Sequence, residues 1–217
     1  TLINSNYIME KKLNLSKGGT INLTKRNPGI TKYRFGLAWD LKNGRDADLD
    51  ALAICLGANG KLPSGDIDYI VGYPSGDPGR DGRDKITWTT PTGGLGFKDP
   101  AGSVLHHGDL RTGTTTEGDD EVIDVDLARV PATVSEIRLV VSIYTPGTFK
   151  DVGVPVVSVY RGETTDVPDL TYALDESFPG SSVVEVASLK RTGLSDWTLE
   201  AIGEGVSDLS ATIDKYL

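Results

Sequence analysis

Two stretches of the chain carry the side chains best suited to chemistry. The first is Asp40 followed by Asp46-Ala47-Asp48-Leu49-Asp50-Ala51, with Gly44 between. The second is His107-Gly108-Asp109-Leu110-Arg111-Thr112-Gly113, then Glu117-Gly118-Asp119-Asp120-Glu121. On a strand, residues two apart share a face, so Asp46, Asp48 and Asp50 present three carboxylates in a row. At a spacing of ~6–7 Å each neighbouring pair repels by ~0.6 kcal/mol in water, and several-fold more at a protein surface. The apolar run Leu52-Ala53-Ile54-Cys55-Leu56 follows at once and calls for burial. A hard divalent cation offsets such repulsion, and calcium accepts the irregular shell of roughly six to eight oxygens that loops supply. A solvated acidic loop is the alternative reading of both clusters. The helix-loop-helix calcium frame does not fit. Counted from Asp46, its glycine position holds Ala51 and its closing glutamate position holds Gly57.

Other chemistry finds little support. His106 and His107 are adjacent, so on a strand they face opposite sides and cannot form a helical zinc pair. No glycine-x-serine-x-glycine elbow backs a serine nucleophile. Gly93-Gly94-Leu95-Gly96 lacks the lysine of a phosphate loop and reads as a flexible turn. The carboxylates cluster in short frames, which suits a metal better than the separated pair of a glycosidase. Cys55 is the only cysteine, which excludes an internal disulfide and a cysteine zinc site. It lies inside an apolar run and reads as a buried core thiol, most at home in a reducing compartment. These features together predict a protein that is not an enzyme.

Lys plus Arg number 22 against 31 acidic residues, a net charge of -9. That balance argues against nucleic acid, which needs clustered cationic side chains. It suits cations, or solubility alone. No apolar run approaches the ~18–20 residues that span a bilayer, so the sequence reads as soluble, with no membrane span. Met9 is the only methionine. Residues 1–12 therefore read as a leader of uncertain origin ahead of the domain.

The elements that must position the clusters are short alternating runs between turn residues. Leu13 and Leu15 alternate, Gly18-Gly19 turns the chain, and Ile21 and Leu23 resume the period of two. Tyr33 to Trp39 predicts a strand ending at Asp40, Leu49 to Leu56 a more buried one, and Ile67 to Val71 a third. Residues 73–102 are rich in Pro, Gly, Asp and Arg, with only Ile86 to Thr89 extended, and read as an insertion. Val122 to Leu127, Ile137 to Ile143, Val154 to Tyr160, Leu170 to Leu174, Val183 to Leu189 and Trp197 to Ile202 complete the strands. Trp39, Trp88 and Trp197 read as core or insertion anchors. Val206, Leu209, Ile213 and Leu217 have helical spacing, with Ser207 as cap. About ten strands and one short C-terminal helix predict an all-β-dominated fold: a two-sheet β-sandwich, one domain over residues 13–217.

Several of these strings, in order, resemble the TerD family of tellurium-resistance and stress-response proteins. Leu13-Asn14-Leu15-Ser16-Lys17-Gly18-Gly19 is similar to its opening, and Pro28-Gly29-Ile30 with Gly36-Leu37-Ala38-Trp39-Asp40 to its first long strand. Asp48-Leu49-Asp50-Ala51, Leu56-Gly57-Ala58-Asn59-Gly60-Lys61, the two halves of the second acidic cluster, Val125-Asp126-Leu127 and Val130-Pro131 follow. The resemblance implies a calcium-binding β-sandwich, and Ca2+ as the cofactor. Carried to matching positions, it implies metal-binding roles for Asp40, Asp46, Asp48, Asp50, Asp109, Glu117, Asp119, Asp120 and Glu121. It implies a cytoplasmic, non-enzymatic scaffold or interaction domain for a protein partner. The 73–102 insertion and the leader motivate a second expectation, a structural or assembly protein of a phage tail or similar particle, with homo-oligomer or particle assembly and a virion location. Leu110 departs from the family, standing where an asparagine is usual, and removes one oxygen donor.

Overall fold

Leu49–Leu56 is buried at every position, and the reason lies in its alternation. Leu49, Ala51, Ala53 and Cys55 point into one apolar cluster, while Leu52, Ile54 and Leu56 belong to a second. A strand with a period of two can be apolar throughout only when both of its faces are covered. In the computed structural model of the chain, one face is covered by a second sheet and the other by a helix.

The structure describes residues 13–39, 48–72, 86–108, 119–143, 147–149, 152–153, 155–163, 167–173, 178 and 180–217. Among them are strands β1 (Leu13–Leu15), β2 (Thr20–Asn22), β3 (Lys32–Ala38), β4 (Leu49–Leu56), β5 (Ile70–Val71), β6 (Thr87–Thr89), β7 (Leu95–Lys98), β8 (Val104–His106), β9 (Glu121–Asp126), β10 (Glu136–Ile143), β11 (Val156–Arg161), β12 (Leu170–Ala173), β13 (Val183–Arg191) and β14 (Trp197–Val206). Helix α1 spans Leu23–Arg26 and α2 spans Leu209–Tyr216. One sheet has the order β1-β12-β11-β3-β9-β8-β7-β6 and the other β2-β14-β13-β10-β4-β5. Every pairing is antiparallel except β1 with β12. This is the two-sheet sandwich with a C-terminal helix that the sequence predicts.

Local differences have physical causes. Leu23 does not continue a strand. Asn22 caps a short helical turn by accepting from Lys25 N–H at 2.8 Å, and Leu23 becomes fully buried. Ile67 to Tyr69 form a 3-10 turn capped by Asp66, so only Ile70–Val71 extend. Leu95-Gly96 lie in β7 rather than a flexible turn, because Gly96 gives Trp88 room. A Cβ on Gly96 would come within 2.4 Å of the Trp88 indole nitrogen, which donates to His106 O. The cap of α2 is Asp208, not Ser207: its Oδ1 accepts from Ala211 N–H at 2.8 Å.

The registers bring one set of strand ends together. Leu37 faces Glu121, Ala38 faces Val156 and Val156 faces Ala173 in the first sheet. Leu49 faces Ile143, and Ser142 faces both Asp50 and Val183, in the second. This end of the sandwich is called here the acidic pole.

Helix α2 is fixed by a buried carboxylate. Glu185, fully buried on β13, accepts from Tyr216 OH at 2.7 Å and Lys215 Nζ at 2.9 Å, and also from Arg138. Burial alone pushes its carboxyl up, but the bonds from Lys215 and Tyr216 and the charge of Arg138 outweigh it and hold it below the ordinary range. A carboxylate depressed in the folded state stabilises above its unfolded pKa, and that stability is lost as pH falls through the folded value. Glu185→Ala takes one of two carboxylates from Arg138, whose Nε keeps Glu136 at 2.6 Å, and removes the acceptor of Tyr216 OH. It is expected to cost about 2 kcal/mol at neutral pH, the loss of charge-assisted hydrogen bonds to a buried acceptor. Thermal melting of Glu185→Gln should show a lower Tm at neutral pH and a smaller further loss below about pH 4 than the parent.

Candidate functional site

Asp120 closes the ladder between β3 and β9 one residue beyond its last strand pair. Its N–H donates to Leu37 O at 2.7 Å and its Oδ2 accepts from Trp39 N–H at 3.1 Å. The side chain is buried, and so is Trp39, so the carboxylate replaces a ladder carbonyl where the strands part. Glu121 comes next and, by the alternation that turns Ile123 and Val125 inward, enters the space between the sheets. Its Oε2 accepts from the N–H of Ala51 on β4, in the opposite sheet and 70 residues away in sequence. His106 Nε2 faces the same oxygen at 3.5 Å, with both side chains fully buried.

The remaining described candidates point elsewhere. Asp50 is buried on the α2 side of β4, the face it shares with Leu52 and Ile54. Asp48 sits half-buried at the entrance to the same strand. Asp119 folds over the outer face of the first sheet, filling the room above Gly36. A Cβ there would lie 2.0 Å from the Asp119 carboxyl carbon. Burial pushes the Asp119 carboxyl above its ordinary value, against a hydrogen bond from Tyr160. The Tyr160 phenol is in turn pushed up to about 12 by burial and by Asp119. Asp40, Asp46, Asp109 and Glu117 lie outside the described residues. The structure thus gathers five of the nine sequence candidates at one pole but turns them into three separate spaces. Among the described residues no three His, Cys, Asp or Glu side chains converge closely enough to hold an ion.

Several polar residues at this pole escaped the sequence reading. The histidines do face opposite ways, as adjacency on a strand requires. His106 turns inward to Glu121, while His107 turns outward and its Nε2 lies 2.7 Å from Asp124 Oδ2. Arg34 holds the same carboxylate through Nε at 2.7 Å and its second nitrogen at 2.8 Å. Burial favours the neutral acid there, but the Arg34 and His107 bonds prevail and keep Asp124 below the ordinary carboxylate range. Trp88 meets the His107 ring edge-on at 5.0 Å. The signal for Arg34 and Asp124 was available in their even positions on β3 and β9, opposite each other in register.

Cys55 is 1% exposed in the core of the sandwich, and burial pushes its thiol well above the ordinary value. It should resist maleimide in the native protein and react only on unfolding; fast native labelling measured by mass spectrometry contradicts this placement. The Asp119 contact gives a second test. Gly36→Ala forces the carboxylate off the sheet and is expected to cost about 1–3 kcal/mol in denaturant unfolding. An unchanged midpoint contradicts the packing described.

Comparison with known proteins agrees with this architecture. The TerD domain model matches residues 11–71 and 96–216. The residues between overlap the stretch set apart in the sequence as an insertion. The uncharacterised protein YceE of Bacillus subtilis (strain 168) is 35% identical over 202 residues, 90% of this chain and 92% of that protein. The tellurium resistance protein TerD of Serratia marcescens is 31% identical over 208 residues, 93% of this chain and 94% of its own length. The crystal structure of a homologue of telluride resistance protein (TerD) from Streptomyces coelicolor A3(2) superposes with a TM-score of 0.55 at 19% identity. The superposition covers 85% of this chain and 95% of that one, and speaks for the fold alone. Matched across both sheets, the C-terminal helix and the acidic strand ends, the chain belongs to the TerD family.

Proposed function

We propose that the chain is a calcium-binding, non-enzymatic scaffold of the cytoplasm whose acidic pole, ordered by the ion, presents a surface to a protein partner. The observation that carries this reading is the bond between Glu121 and Ala51 N–H. It draws two acidic clusters, remote in sequence, to one end of the sandwich across its two sheets.

The donor chemistry fits the cation. All nine candidates are carboxylates, the oxygen ligands that hard ions take, with no thiolate among them. The raised Asp119 carboxyl marks a place where burial makes negative charge costly and a cation would offset that cost. Asp48, Asp50, Asp119, Asp120 and Glu121 would hold the ion together with the acidic residues of 40–47 and 109–118. Bound there, calcium would supply positive charge and a fixed geometry for chain segments entering and leaving the strands.

Catalysis is disfavoured by what the reactive groups already do. His106 takes Gly108 N–H on Nδ1 and faces Glu121 with Nε2, His107 Nε2 is committed to Asp124, and Cys55 is buried. Relatives are named for stress and for tellurium resistance. An acidic pole repels oxyanions and a buried thiol is a poor reductant, so a role in resistance would run through a partner protein rather than through tellurite itself. Among the described residues no helix is long and apolar enough to cross a membrane.

Calorimetric titration of chelator-stripped protein should show calcium binding that Asp48→Ala/Asp50→Ala weakens or abolishes. At 100 times its dissociation constant the ion adds about 2.7 kcal/mol, a rise in Tm of roughly 5–10 °C for a chain of this size. Equal melting in calcium and in chelator sinks the proposal.

A further inference from the structure

His106 is the buried side chain that meets Glu121 between the sheets. It is fully buried at the end of β8, and its ring has only one way to place its proton. Gly108 N–H donates to Nδ1 at 3.0 Å, so Nδ1 is the acceptor and the neutral ring carries its hydrogen on Nε2. Nε2 lies 3.5 Å from Glu121 Oε2, the oxygen that also takes Ala51 N–H, so the N–H and the carboxylate meet as a buried polar contact longer than an ordinary hydrogen bond.

The local backbone serves this arrangement. Gly108 has φ 94, open only to glycine, and a Cβ there would come within 2.5 Å of Leu95 O. The close approach of β7 and the turn after β8 thus require glycine at the one position whose N–H sets the His106 tautomer. Phe97 packs against the imidazole at 6.1 Å between ring centres, and Trp88 Nε1 donates to His106 O at 3.0 Å. The ring is held from three sides beside the Glu121 carboxylate.

We infer that His106 is a positioning residue of the acidic pole. With its tautomer fixed by Gly108, it aims Nε2–H at Glu121 and keeps that carboxylate on Ala51 N–H, so that β9 and β4 bring their acidic residues to a set spacing. Its consequence for calcium rests on the reading proposed above; its consequence for the Ala51 amide does not.

The test compares the parent with His106→Leu, which removes the donor, and His106→Gln, whose side-chain amide restores one at similar reach. In chelator, the Ala51 amide should exchange several-fold faster in His106→Leu, as Glu121 loses the polar contact that keeps it on that amide. Exchange at Leu189 in the core of β13 should be unchanged, and His106→Gln should recover the protection. Calcium affinity, titrated with the ion alone, should fall about 10–100-fold in His106→Leu and return with glutamine, as for other groups that orient a metal ligand. Unchanged Ala51 exchange in folded His106→Leu overturns the inference. Calcium affinity that holds while Ala51 loses protection overturns its metal arm. If the parent binds no calcium, the proposed function falls and the Ala51 readout still decides the positioning role. Nitrogen chemical shifts of His106 in the parent give an answer that needs no variant to fold: the Nε2–H tautomer supports the inference, and the Nδ1–H tautomer refutes it.

Discussion

Strand β4 (Leu49–Leu56) is covered on both faces, by the opposing sheet on one side and by α2 on the other. Charge cannot sit along such a strand without a large desolvation cost, so acidic side chains are confined to its entrance. Asp48 and Asp50 stand there, and the strand's first residues lie in register with the end of β10. The same end of the other sheet receives Asp119, Asp120 and Glu121, because β9 begins where β3 finishes. The acidic pole thus follows from core burial along β4, whereas acidic side chains within other strands, Glu185 on β13 and Asp124 on β9, are matched there by Arg138 and Arg34.

The two sheets meet at that pole through polar contacts rather than apolar packing alone. Asp120 binds the backbone of its own sheet through Trp39 and Leu37, whereas Glu121 binds the backbone of the other through Ala51. Strand β9 begins only at Glu121, so the two residues before it are free of strand alternation and the run Asp119-Asp120-Glu121 reaches three different surroundings. This makes the run a junction. Its acidic residues are not interchangeable donors, and removing one leaves the others in place. The far end of the fold uses a different device, with Arg26 and Asn27 of the α1 turn binding the buried Asp169 beside β12. Burial favours the neutral acid there, but those bonds hold the Asp169 carboxyl below its ordinary value.

Much of this was legible in the sequence, for identifiable reasons. Leu49 to Leu56 and Ile137 to Ile143 could be read because long apolar or alternating runs record two-sided and one-sided burial directly. Strands β7 (Leu95–Lys98) and β8 (Val104–His106) could not. They are short, β7 is interrupted by Gly96, and the turn between them is set by Asp99, whose buried carboxylate takes the N–H groups of Ser103 and Val104. The helical turn at Leu23 hid behind a residue that fits a strand equally well, and only the Asn22 cap distinguishes them. At the candidate site the acidic residues were visible by type and spacing. The direction each faces was not, because it depends on pairing across 70 residues. His106 gave no signal beyond its neighbour Gly108, since its role is to touch another side chain rather than a ligand.

The central proposal for this molecule is that both acidic clusters serve one cation-holding pole. Diffraction from crystals soaked in terbium, an anomalous scatterer that takes calcium's oxygen ligands, tests it most directly. Anomalous density is expected where β3 ends and β9 and β4 begin, with carboxylate oxygens from both clusters at about 2.3–2.6 Å from the ions. Density that falls elsewhere on the surface, or on one cluster alone with the other left bare, contradicts it.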